Sequence, residues 1–203
     1  MNQISRLITA AQALPCRKKI RGLTYSTLFA LLWVTGLRIS EALALDNENV
    51  DFHNRLLTIR NTKFGKSRLV PLHASTAKAL EHYARCRDNV FLTPQSSSFF
   101  LTTLGTRPTS AIVELTFKQL CFKIGIRDTP HGKGPRIHDM RHSFAVKSLI
   151  DIHKANKDIE QRVYALSVYL GHNGPSATYW YFSAVPELLE LALRGLERKR
   201  GIL

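Results

Sequence analysis

Apolar positions follow two rhythms along this chain. Over residues 24–34 they return every three or four positions, with Leu28, Leu31 and Leu32 on one side, which predicts a buried amphipathic helix. Gly36 breaks that helix, and a second short one begins near Ile39 and turns Ala42, Leu43 and Leu45 inward. The polar stretch DNENVDF (46–52) predicts a loop. A period of two then takes over: Leu57 and Ile59 alternate with polar neighbours, as do Leu69 and Pro71, on either side of the basic tip KFGK. That pattern predicts a β-hairpin.

The helical period resumes over 74–87 and again over 109–124, where Ile112, Leu115, Leu120 and Ile124 lie on or near one face. VFLT (90–93) predicts a short strand or extended piece, and the stretch from 96 to 109 a loop. After the basic loop GIRDTPHGKGPR, helices are expected over 138–150 and 162–170, the latter stopped by Gly171. A short helix over 178–182 follows, and Pro186 opens a last one. The sum is a mainly α chain with a small antiparallel sheet, an α+β fold in a single domain spanning 1–203. Residues 1–22 form a basic N-terminal segment, and 186–203 a C-terminal helix with a basic tail.

Charge narrows the partner. The 203 residues hold 29 Lys and Arg against 15 Asp and Glu, a net charge of +14. Such an excess favours a polyanion, most simply nucleic acid. No apolar run approaches the roughly 20 residues of a membrane span, and the N-terminus lacks the order of a signal peptide, so a cytoplasmic protein without membrane contact is expected. The cysteines Cys16, Cys86 and Cys121 are scattered and form no CxxC pair, which argues against a disulfide framework and a thiolate zinc site.

Four clusters carry chemistry. In RIHDMRHSFAV, His138 and Arg141 stand three apart at a helix start, so an imidazole and a guanidinium share a face where backbone N–H groups also favour a phosphate. Asp139 sits between them as a supporting residue, and Arg136 and Lys133 precede them as candidate DNA contacts. The same segment offers a rival: His138 and His142 are four apart, the spacing of a zinc hydrolase, but Asp replaces the expected Glu and the cationic Arg141 lies between them. In TGLRISEALAL, Arg38 opens a helix and Glu41, one turn on, is placed to orient it. The hairpin tip presents Lys63, Lys66 and Arg68, as phosphate contacts or a proton donor; a solvated edge strand blunted by lysines has the same look. In LSVYLGHNGPSATYWYF, His172 follows Gly171, and Tyr181 comes nine residues later.

Taken in order, the TGLR-x-SEAL arginine, the hairpin lysine, the HxxR helix, the LGH and the tyrosine resemble the tyrosine recombinase (phage integrase) family over residues 24–196. The resemblance implies a catalytic domain that cuts and rejoins double-stranded DNA through a phosphotyrosyl bond, with no cofactor and no metal. It implies that Arg38 and Arg141 clamp the scissile phosphate, that Lys63 protonates the leaving 5′ oxygen and that His138 is the acid/base partner. His172 would then hydrogen-bond the phosphate and Tyr181 would be the nucleophile. Members act as tetramers on DNA and are monomers without it, sometimes with a partner recombinase. Leu188, Leu189, Ala192, Leu193 and Leu196 give the last helix an apolar stripe suited to packing on a neighbouring protomer or on its own domain. Only 37 residues precede Arg38, where many members carry a further helical domain that closes round DNA. A catalytically silent DNA-binding relative, or a truncated remnant acting with a partner, is therefore the alternative, and the target site stays open.

Overall fold

The computed structural model describes residues 3–15, 20–60, 67–93, 95–129, 132–155 and 158–171, together with Thr178, Tyr181, Pro186 and Leu188. The element order is α1 (Gln3–Gln12), α2 (Ile20–Thr35), α3 (Ile39–Leu43), a 3-10 turn (Asn47–Asn49), β1 (Val50–Asp51), β2 (Leu56–Ile59), β3 (Arg68–Pro71), α4 (Ala74–Val90), α5 (Ser110–Lys123), α6 (Ile137–Ala155) and α7 (Ile159–Leu170). The chain forms two compact units, Met1–Arg141 and His142–Leu203, and the boundary falls within α6. No described helix is long and apolar enough to cross a membrane.

In the first unit α2 is the central element. Leu28, Phe29, Leu31 and Leu32 are fully buried, and so many of its other positions are enclosed that the helix has little amphipathic contrast. Its buried hydroxyls are satisfied: Thr35 Oγ1 donates within the helix to the Leu31 carbonyl at 2.6 Å, and Thr24 Oγ1 to the Leu101 carbonyl of a distant loop at 3.0 Å. Helix α4 packs on one side of α2 and α1 on another. The N-terminal segment, expected only to be basic, thus contributes Leu7 and Ala11 to the core.

The sheet has three strands in the order β1-β2-β3, all antiparallel. The stretch expected as a polar loop supplies both the 3-10 turn and β1. In β3 the inward phase is one residue away from the expected one. Leu57 pairs with Val70, both buried, which leaves Leu69 on the solvent face at 60% exposure. Helix α5 corrects a second face. Its core side is Val113, Thr116, Phe117, Leu120 and Cys121, while Ile112 and Leu115 stay exposed. The Phe117 ring meets Phe29 edge-on at 5.6 Å, and that contact sets the rotation of the helix. No strand forms at VFLT: Val90 ends α4. The stretch 96–109 is a loop, as expected, and Phe99, Phe100 and Leu101 are buried in it. It is held by Arg87, whose NH1 donates to the Phe99 carbonyl and to Asn47 Oδ1, both at 2.6 Å.

Of the cysteines, Cys121 is buried and burial pushes its thiol up to about 11, while Cys86 is half-buried; Cys16 lies outside the described residues. In the second unit, Ala145, Leu149, Val163, Leu166, Leu170, Tyr181 and Leu188 form one apolar cluster. Helix α7 starts three residues earlier than expected and ends, as expected, at Gly171 in the left-handed conformation. Thr178 and Tyr181 are helical and buried. The rest of the expected short helix, and the apolar stripe apart from Leu188, lie outside the described residues.

One close approach fixes how α1 meets α2. A Cβ built on Gly22 would stand 2.4 Å from the Gln12 carbonyl oxygen, a backbone atom that cannot swing aside. Gly22→Ala should therefore cost about 1–3 kcal/mol despite alanine's better helix propensity, because forced overpacking outweighs it. Thermal unfolding of the variant checks this; an unchanged or raised Tm would contradict the contact.

Candidate active site

The site begins at a helix end. Gly36 adopts the left-handed conformation (φ 63°), and its N–H donates to the Leu32 carbonyl at 3.0 Å, closing α2. The next polar residue, Arg38, has extended backbone (ψ 146°) and caps α3. Its backbone N–H donates to Glu41 Oε2 at 2.9 Å, and its guanidinium NH1 donates to Glu41 Oε1 at 2.8 Å. One carboxylate thus fixes both the main chain and the side chain of Arg38. The sequence placed Glu41 one turn on as an orienting group, and the structure brings the two together.

A second guanidinium shares that carboxylate. Arg68, the first residue of β3, donates from NH1 to Oε1 at 3.0 Å and from NH2 to Oε2 at 2.8 Å. The side-chain exposures are 6% for Glu41, 11% for Arg68 and 26% for Arg38. Arg68, expected as a DNA contact, is turned inward in a two-pronged ion pair. Burial by itself would raise the pKa of Glu41. The hydrogen bonds from Arg68 and from the Arg38 backbone, with the charge of Arg68, more than offset it and hold the carboxyl below its usual range.

Helix α6 adds the third guanidinium. Arg141 is 3% exposed, and its NH1 donates to the Gly36 carbonyl at 2.8 Å. That bond spans 105 positions of sequence and joins α6 to the turn that presents Arg38. Asp139 sets the start of the helix: its Oδ2 accepts from the Arg136 backbone N–H at 2.8 Å, and its Oδ1 pairs with the Arg136 guanidinium at 3.2 Å. His138 is exposed on the first turn of α6. Lys133 and Arg136 are exposed on the approach to α6. That approach is shaped by Arg127, a residue without any motif signal. It is buried and donates to the backbone carbonyls of Gly132, Gly134 and Pro135.

In the second unit, Tyr181 is 4% exposed, and its Oη lies 2.9 Å from His142 Nδ1. The donor in that hydrogen bond is set by the imidazole tautomer. The two rings meet edge-to-face with centroids 5.7 Å apart. His142 was weighed in the sequence as half of a metal pair. Among the described residues no group of three or more His, Cys, Asp or Glu is placed to hold a metal ion. Lys63, Lys66 and His172 lie outside the described residues.

The sequence profile of the phage integrase family matches residues 1–187. The chain belongs to the phage integrase family. Among its relatives in that family is the integrase/recombinase-type protein y4rB of Sinorhizobium fredii, 44% identical over 200 residues, which are 97% of this chain and 64% of y4rB. The tyrosine recombinase XerC of Roseiflexus castenholzii is 32% identical over 88% of this chain and 52% of its own length. The chain therefore spans between half and two-thirds of these relatives. Its fold is that of the XerA recombinase crystal structure, with a TM-score of 0.70 at 23% identity, covering 97% of this chain and 61% of that one.

The shared carboxylate gives this integrase-family domain a testable acid response. A carboxyl whose pKa is lowered on folding stabilises the fold above its unfolded value of 4.5, and that contribution is lost as pH falls through the lower folded value. Glu41→Gln should be less stable at neutral pH by about 1–3 kcal/mol. Its stability should also fall less than that of the wild type on acidification below 4.5. Denaturant titrations at neutral and acid pH read both; parallel acid profiles for the two proteins would contradict the assignment.

Proposed function

We propose that this chain is the strand-cleaving domain of a site-specific recombinase acting on double-stranded DNA, in the integration, excision or inversion of a mobile element. The observation that carries the reading is the bond from Arg141 to the Gly36 carbonyl, beside an Arg38 held by Glu41. Two guanidiniums from distant parts of the chain are tied to one turn, and a pair of that kind suits the oxygens of a phosphodiester.

In this reading Tyr181 Oη attacks the phosphorus in line and its proton passes to His138. The bond from phosphorus to the 5′ oxygen breaks, and Lys63 supplies the proton that leaves with it. His172 hydrogen-bonds a non-bridging oxygen. A 3′-phosphotyrosyl link replaces one phosphodiester with another, so the energy of the bond is kept and rejoining reverses the step without ATP. Negative charge grows on the phosphoryl oxygens in the transition state, where fixed cations stabilise it most. No cofactor is needed for this sequence of bonds. Recombination exchanges strands between two duplexes, so the active form on DNA is a tetramer, with a partner recombinase as a variant of it.

A second reading has its own support. The Tyr181 hydroxyl is buried against His142, so a chain that kept this conformation on DNA would bind without cutting. The test is covalent capture. Nicked suicide duplexes drawn from the DNA flanking the chain's own coding sequence should give a protein–DNA adduct that maps to Tyr181 and is absent from Tyr181→Phe. An adduct surviving in that variant refutes the nucleophile, and binding without any adduct supports the silent reading.

A further inference from the structure

Arg68 is the one residue of the guanidinium cluster with no part in the reaction just described. Its environment is unusual for a residue on the edge strand of a small sheet. The side chain is nearly buried, and it takes both oxygens of Glu41 in a fork. Arg38 reaches the same carboxylate through its backbone N–H and its NH1, and its side chain is the more exposed of the two. Glu41 paired with Arg38 alone would make a neutral pair with little pull on a diester anion. With two arginines on it, the cluster keeps a net charge of +1, and the fixed fork of Arg68 holds the carboxylate still.

From this geometry we infer that Arg68 is a positioning residue for the strand-transfer reaction, acting on Arg38 through Glu41. The inference rests on the strand-transferase reading, but the coupling it describes exists in the DNA-free protein. Arg68 keeps Glu41 ionised and oriented, and Glu41 in turn aims Arg38 at the phosphate. Arg68 also opens β3, where Ile59 is its partner across the ladder, so the same ion pair anchors the strand leading out of the hairpin to α3. A lysine at position 68 would keep the charge but lose the fork.

The experiment compares wild type, Arg68→Met and Arg68→Lys in single-turnover cleavage of the suicide duplexes. Duplex binding and Tm are measured alongside, and arginine side-chain 15N spectra are recorded without DNA. The Arg38 signal is identified by its loss in Arg38→Lys. In Arg68→Met, cleavage at saturating duplex should fall by about 10²-fold, the loss expected when a reacting partner is misplaced by an ångström. Duplex affinity should stay near wild type, and the Arg38 Nε–H should move to a solvent-averaged position. Arg68→Lys should recover part of the rate and keep the Arg38 signal near its wild-type position. A merely structural arginine would lower Tm without shifting the split between rate and affinity. An unmoved Arg38 signal in a folded Arg68→Met protein overturns the inference. If the wild type forms no adduct, the strand-transferase reading fails, and the Arg38 signal still decides whether Arg68 positions it.

Discussion

A buried charge must find partners, and in the first unit of this chain the partners are what assemble the candidate site. Glu41 is enclosed, so its carboxylate would be costly without donors; Arg38 and Arg68 supply them from α3 and β3. Arg141 is still more enclosed, and it takes the carbonyl that the left-handed Gly36 leaves at the end of α2. Each bond satisfies a desolvated group and at the same time ties one element to another. Helix α2 supplies the rigid base, fixed by the aromatic contacts of Phe29 and by α1 lying across Gly22. The cationic groups are thus held by the fold rather than carried on loose surface side chains, and the stabilisation of an anion depends on that preorganisation.

The second unit presents a different arrangement. The Tyr181 hydroxyl points at His142 from within an apolar cluster, so the most reactive oxygen of the proposed chemistry is sheltered. A phenol deprotonates near pH 10 in water and needs a partner to serve as nucleophile at neutral pH.

How much of this was legible beforehand depends on the kind of interaction. Helix α2, the short α3 and the hairpin followed from periodicity, because burial imposes a period on sequence. The candidate residues Arg38, Glu41 and Arg141 were legible as motifs, and Glu41 even as a partner of Arg38, since a helix fixes what lies one turn on. Faces were less legible. In α5 the apolar residues surround the helix, so Ile112 and Leu115 looked as well suited to the core as Val113 and Phe117. In β3 the phase was set by pairing with Leu57, a tertiary fact. The inward turn of Arg68 was not readable at all: its partner lies 27 residues away, and a basic residue near a hairpin tip reads equally as a DNA contact. The Gly36 carbonyl and the buried Arg127 were hidden for a related reason, since a backbone acceptor leaves no trace in composition.

The central claim is that Arg38 and Arg141 act as one unit on one anion. The direct measurement is a double-mutant cycle on the rate of phosphotyrosyl formation, using Arg38→Ala, Arg141→Ala and both together. Groups that act as one unit should give a double variant scarcely slower than the worse single one. Losses that simply multiply would mean the two arginines work apart, and the account of a shared phosphate clamp would not stand.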